Sequence, residues 1–238
     1  MKYVGALSVH SWGGAKPEEY AAWADAAAKL GLPLIVAEAG VDAGAWQGGK
    51  YQNFQYAMQE MVHYQELFLH ARPQAIMLWE FTGDYSLLAV NPSDKTKLQM
   101  TERFCLQKHW CDLTPPGSEA LASSSDNNSI MFSCFRFQVS SFKLNDRDAE
   151  PETRNLKPET SLAYGYTLHL SNSRWSRRAN VEGLPPEIKT LNVVRTSHGE
   201  MFKQQAPIAV VDGKLTLELP GQSLTTLTTL PIPELKEP

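Results

Sequence analysis

Three short apolar runs in the first third of the chain each end in residues that can do chemistry. Leu34 to Ala37 drives into a single carboxylate, Glu38, and then into Ala39-Gly40. Upstream, Tyr3 to Val9 ends on His10, Ser11 and Trp12, and downstream Ala75 to Leu78 ends on Trp79 and Glu80. Buried parallel strands read as near-continuous apolar runs, and barrel enzymes carry their catalytic side chains at the C-terminal ends of such strands. A lone acid at such an end is placed to act as a nucleophile or proton carrier, with His10 and Trp79 on the neighbouring ends.

The elements that must position these ends have helical period. Pro17 opens a helix with Glu18 and Glu19 in its first turn, where acids suit the helix dipole, and Gly31 stops it. A second helix is expected from about Tyr51 to His70. A third follows Asn91-Pro92-Ser93-Asp94 and carries Leu98, Thr101, Phe104, Cys105 and Lys108 towards Trp110. Strand and helix in alternation imply right-handed crossovers and a parallel sheet. A closed barrel needs eight such units, and the pattern supplies about three, so the chain reads as the C-terminal part of a (β/α)8 barrel, beginning near its sixth strand. A complete small open sheet is the weaker alternative, since it would leave two exposed edges.

After Cys111 the character changes. Thr114-Pro115-Pro116-Gly117 and the serine-rich stretch Ser123 to Ser129 read as a connection. Beyond it the period is two: Met131 to Val139, Tyr164 to Leu170, Thr190 to Arg195 and Lys214 to Leu219 alternate, with turn residues such as Asp212-Gly213 between them. The expected class is therefore α/β plus all-β. Residues 1–113 form a partial barrel, 114–128 a linker, 129–230 an antiparallel β-sandwich and 231–238 a flexible tail. The charged, proline-bearing stretch Leu144 to Pro158 reads as a loop.

Composition excludes several classes of partner. The chain has 238 residues and a formal net charge of −4, with no basic surface suited to nucleic acid. Arg174, Arg177 and Arg178 read as a solvated hairpin turn. No run is apolar for long enough to span a membrane. The 3 cysteines show no metal-ligand spacing and are expected to be free, buried thiols. No metal site and no cofactor is expected.

In their order, these segments resemble a glycoside hydrolase of clan A. The resemblance rests on Val9-His10-Ser11-Trp12, Ile35-Val36-Ala37-Glu38-Ala39-Gly40 and Met77-Leu78-Trp79-Glu80-Phe81. It rests also on a last strand read from Leu217 to Leu227, with Leu219-Pro220-Gly221-Gln222-Ser223-Leu224-Thr225-Thr226-Leu227 similar to the segment that often closes the appended sandwich of that clan. The resemblance implies a carbohydrate substrate and a retaining mechanism. It makes Glu38 the nucleophile, Trp79 the aromatic floor of a sugar subsite and His10 a polar contact at the sixth strand end. The acid/base of the clan follows the fourth strand, which has no counterpart in this chain. Glu80 and Asp84 are local substitutes, the first disfavoured by strand alternation beside Trp79 and the second suited equally to a turn. The chain is thus expected to be inactive alone, with the missing N-terminal barrel segment as its partner.

Trp12, Trp46 and Tyr85 stand in loops on the expected active face, where rings stack on sugars or cap the core. The sandwich shows no evident exposed aromatic platform and reads as a structural companion. Two other classes stay open. His10, Glu38 and Asp84 could hold a divalent metal in a barrel isomerase or hydrolase, or the chain could bind carbohydrate without turnover.

Overall fold

A computed structural model describes residues 3–81, 87–90, 93–139 and 164–235. Asp84, Tyr85 and the expected loop from Leu144 to Pro158 lie outside the described residues. The fold is mixed α/β with several sheets.

The first layer is a parallel sheet of β1 (Leu7–His10), β2 (Leu34–Ala39) and β3 (Ala75–Leu78), with β2 in the middle. Helix α1 (Pro17–Leu30) joins β1 to β2. Its start is fixed by Pro17 and by the Glu19 carboxylate, which accepts from the Lys16 N–H at 2.8 Å. Gly31 ends it at φ +62°, a left-handed conformation that costs glycine little. Helix α2 (Phe54–Glu66) joins β2 to β3 and is capped by the Asn53 side chain, which accepts from the Gln55 N–H at 2.7 Å. It runs on through a wider π turn (Leu67–Ala71).

These helices cover one face of the sheet. Leu34, Val36 and Ala39 of β2 are buried against Phe54, Ala57, Met58, Met61, Tyr64 and Leu67, with Leu7, Val9, Ile76 and Leu78 packed at the margin. The alternate residues Ser8, His10, Met77 and Trp79 are exposed. Parallel sheets are ordinarily covered on both faces, and here, among the described residues, the second face leaves these side chains exposed while Ile35 and Ala37 of the middle strand are half-buried.

The third helix begins later than the sequence predicts. Leu98–Met100 is strand β5, paired antiparallel with β4 (Leu88–Val90), and α3 (Glu102–Leu113) starts after Thr101. The Thr101 hydroxyl donates to the Leu87 carbonyl at 2.8 Å and accepts from the Phe104 N–H, so one side chain ends the hairpin and caps the helix.

The rest is antiparallel. Strands β6 (Glu119–Leu121), β7 (Ile130–Gln138), β8 (Tyr164–Asn172), β10 (Thr190–Ser197), β11 (Glu200–Ala209) and β13 (Ser223–Thr228) form a six-stranded sheet in the order β11-β10-β13-β8-β7-β6. Strands β9 (Arg177–Val181) and β12 (Leu215–Leu219) form a separate pair. Alternation gives the large sheet two different faces. Tyr166, Leu168 and Leu170 of β8 meet Val181, Leu215 and Leu219 of the pair, while Thr167, His169 and Ser171 belong to the opposite face.

That opposite face is sealed to the helices by a polar seam. His109 on α3 is hydrogen-bonded through Nδ1 to Thr226 Oγ1 at 2.8 Å and through Nε2 to Thr196 Oγ1 at 2.9 Å. His169 is bonded to the same Thr226 hydroxyl at 2.8 Å and to Thr114 at 2.7 Å. Both rings are fully buried, and Trp110 packs on His169 with centroids 3.8 Å apart. Burial drives the His109 pKa down to about 3 and that of His169 well below the ordinary histidine range. The rings are neutral and act as fixed hydrogen-bond pegs between layers.

Several local expectations are corrected by these elements. Glu119–Leu121, inside the expected linker, is the edge strand β6 paired with β7. The segment read as one strand from Leu217 to Leu227 is two strands, β12 and β13, in different sheets, because Pro220-Gly221-Gln222 turns the chain between them. Arg177 and Arg178 lie in β9 rather than in a turn. Ile232 and Leu235, in the expected tail, pack against Phe137, Val194 and Phe202. Cys105 is buried as expected, whereas Cys111 is exposed. Among the described residues no helix is long and apolar enough to cross a membrane.

Candidate active site

Glu38 stands near the end of the middle strand, and its two oxygens are separately held. Trp12 Nε1 donates to Oε1 at 2.6 Å, and His10 Nδ1 lies 3.4 Å from Oε2. The register explains the second contact. Pairing of β1 with β2 runs Leu7 to Leu34 and Val9 to Val36, then slips by one residue so that His10 faces Glu38. Such a bulge re-aims a side chain. The carboxylate is one-quarter exposed and His10 more than half exposed, so Glu38 is reachable from the exposed side of the sheet.

Gly40 makes room for Trp12. A Cβ at Gly40 would lie 2.3 Å from the indole ring, so the ring crosses directly over the backbone that follows Glu38. Ser11 N–H donates to the Glu38 carbonyl at 3.0 Å and Gly13 N–H to the Gly40 carbonyl at 3.3 Å, which carries the β1 pairing past the strand ends.

On the other side, Trp79 N–H donates to the Ala39 carbonyl at 3.1 Å, and the indole is 43% exposed. Its carbonyl accepts from Arg103 Nη2 at 3.3 Å. Arg103 and Glu60 are both fully buried and form a two-pronged pair, Nε to Oε2 at 2.5 Å and Nη2 to Oε1 at 2.8 Å, with the Tyr64 hydroxyl also donating to Glu60. A two-pronged arginine–carboxylate pair fixes orientation as well as charge. The Trp79–Glu80 peptide bond is cis.

Beneath β1 a second buried chain of groups holds the strand end. Ser11 Oγ is hydrogen-bonded to His63 Nε2 at 2.9 Å, His63 Nδ1 to the Tyr20 hydroxyl at 3.1 Å, and that hydroxyl accepts from the Ala15 N–H at 2.8 Å. Burial lowers the His63 pKa to about 4, so the ring is a neutral linker rather than a charge.

The sequence-derived residues divide by position. His10 and Trp12 each meet Glu38, and Trp79 follows the adjacent strand. Trp46 is 49% exposed, in the loop after β2. Glu80 is half-buried just after Trp79. Asp84 and Tyr85 lie outside the described residues. Sequence reading missed the donor role of Trp12 and the supports Ser11–His63–Tyr20 and Glu60–Arg103. Histidine and glutamate inside a helix that otherwise reads as packing were the available signal. Among the described residues, no three His, Cys, Asp or Glu side chains gather as metal ligands.

No protein-family profile matches the chain, and no curated protein sequence does. Solved structures do match in fold. Against a GH30 endoxylanase from Clostridium papyrosolvens the TM-score is 0.68 at 14% identity, covering 94% of this chain and 48% of that one. Against a glycoside hydrolase family 30 subfamily 8 xylanase from Clostridium acetobutylicum it is 0.68 at 11% identity, covering 95% and 49%. A bifunctional glucanase-xylanase from a metagenome library gives 0.55 at 10% identity, covering 94% and 43%. The fold is thus similar to that of glycoside hydrolases, and the chain spans about half the length of the solved structures it matches.

Proposed function

We propose that this chain is the nucleophile-bearing C-terminal portion of a retaining glycoside hydrolase, a partial (β/α) barrel followed by a β-sandwich. The observation that carries the reading is Glu38, held on one oxygen by Trp12 Nε1 and faced on the other by His10, on a sheet whose carboxylate side is open to solvent. Fold similarity to xylanases supports it.

In this reading the Trp12 N–H fixes the plane of the Glu38 carboxylate and leaves Oε2 to attack the anomeric carbon, forming a glycosyl ester as the glycosidic C–O bond breaks and the departing oxygen takes a proton from the acid/base. Trp79 supplies an indole face for the apolar side of the sugar. A retaining enzyme places its proton donor about 5 Å from the nucleophile. In this reading the proton donor comes from a partner half of the barrel, which also covers the exposed side of the sheet. Alone, the chain turns nothing over.

The test joins this chain to a half-barrel of strand–helix units that completes the sheet. The joined protein is treated with an aryl 2-deoxy-2-fluoro-xyloside, whose leaving group departs without protonation. Mass spectrometry should find the sugar esterified to the peptide containing Glu38. An adduct on another carboxylate would sink the assignment.

A further inference from the structure

Two cavities adjoin where the loop after β1 meets the antiparallel sheets. One, of about 410 Å³, lies between Gly13-Gly14 and the outer side of α2. The other, of about 720 Å³, lies among the β8–β9, β10–β11 and β12–β13 turns. Ser173 and Gln222 line both, so the two form one groove. Each lies in the size range of small-molecule sites.

The ends of the groove differ in chemistry. At the α2 end stand Gln55, Gln59 and Glu66, with Met58 and Val62 between them. Burial raises the Glu66 pKa. At the far end Trp175 is 82% exposed. His198 lines the same end and its ring meets Phe54 at the start of α2, centroids 5.8 Å apart, which fixes that wall to the helix.

Trp175 is exposed without being loose. The fully buried Asn172 side chain donates from Nδ2 to the carbonyls of Trp175 and Pro220, each at 2.9 Å. Gln222 N–H donates to the Arg174 carbonyl at 3.1 Å and Gly221 N–H to Ser176 Oγ at 3.0 Å. A Cβ at Gly221 would lie 2.3 Å from the Arg174 carbonyl oxygen, so the two turns are pressed together at a position that admits only glycine. A loop fixed at this many points, with its largest apolar side chain left in water, is a pre-organised stacking surface. The sequence hid it, because Trp175 stands among Arg174, Ser176 and Arg177 in a turn.

We propose that this groove binds a glycan chain apart from Glu38, one sugar ring stacked on Trp175 and the hydroxyls of later rings bonded by Gln222, Gln59 and Glu66. Sugar rings offer an apolar C–H face and a hydroxyl rim, and the groove offers an indole followed by amides and a carboxylate. The choice of a glycan rests on the proposed function, whereas the groove itself does not involve the candidate nucleophile.

Isothermal titration of the whole chain with xylohexaose and with cellohexaose tests the groove. One of the two should bind, and Trp175→Ala should weaken that binding about tenfold or more. Val211→Ala, at an exposed apolar side chain outside both the groove and the candidate active site, should leave it unchanged. Because Trp175 is exposed, its variant should keep the melting temperature of the parent. Binding lost in Trp79→Ala but kept in Trp175→Ala would overturn the groove and leave the glycosidase reading standing. Absence of binding by the parent to both hexaoses would also overturn it. The Glu38 adduct is read by mass and judges the other proposal separately.

Discussion

The ring of Trp12 occupies the space that a side chain at Gly40 would need, 2.3 Å from where its Cβ would lie. The same indole donates to Glu38 at 2.6 Å. One glycine therefore sets both the packing of the loop after β1 and the orientation of the carboxylate.

Gly40→Ala should displace the indole. Overpacking of this kind costs about 1–3 kcal/mol, and urea unfolding should show a loss of that size together with changed tryptophan emission. Unchanged stability and emission would mean that the ring is not held against the backbone.

Trp12→Phe keeps an aromatic ring and removes the donor. A hydrogen bond to a charged group is worth about 1.5–3 kcal/mol, so in the completed enzyme glycosyl-ester formation should slow by about tenfold or more. Equal rates for the two proteins would assign the orientation of Glu38 to His10 alone.

Arg103→Met leaves Glu60 buried without its partner and should cost about 3–5 kcal/mol, whereas Arg103→Met combined with Glu60→Leu should recover most of that loss. Denaturant midpoints of the parent, the single and the double variant measure this. A double variant as unstable as the single one would show that Arg103 acts through the Trp79 carbonyl, which it also binds.

Acid should destabilise the fold before it reaches the carboxylates. His63, His109 and His169 all have native pKa values below the ordinary 6.5, at about 4 for His63 and about 3 for His109. From pH 6.5 downwards the unfolded chain binds protons that the native chain refuses, so stability is fully present above 6.5 and declines as pH falls towards those native values. Each histidine contributes up to about 1.4 kcal/mol per pH unit in that window. Urea midpoints at pH 7 and pH 5 should differ accordingly, and His109→Gln should flatten the difference by one histidine's share. A midpoint that does not move between the two values would contradict the neutral seam.

Some of this was legible in the residues and some was not. The strand ends could be read because a buried parallel strand has to be apolar, so that His10, Glu38 and Trp79 stand out against the runs that precede them. Helices α1 and α2 declared themselves through Pro17, Gly31 and period. The β4–β5 hairpin escaped because three-residue strands carry too little alternation to compete with a helical stripe through Leu98 and Thr101. His109 and His169 were hidden because a polar residue on a packed face gives no sign of the threonines that meet it from distant strands. Trp175 escaped for the opposite reason: its neighbours are those of a solvated turn, and only the hydrogen bonds of Asn172 show that the turn is fixed.

The two outer edges of the parallel sheet have a consequence for how the protein is made. Strands β1 and β3 each have one neighbour among the described strands, and the outer backbone groups of such strands recruit extended peptide without regard to its identity. Under the proposed half-barrel reading, correct closure is then a race. A complementary half synthesised on the same polypeptide is present at high local concentration from the moment it leaves the ribosome, whereas one supplied from another gene must arrive before a second copy of this chain does.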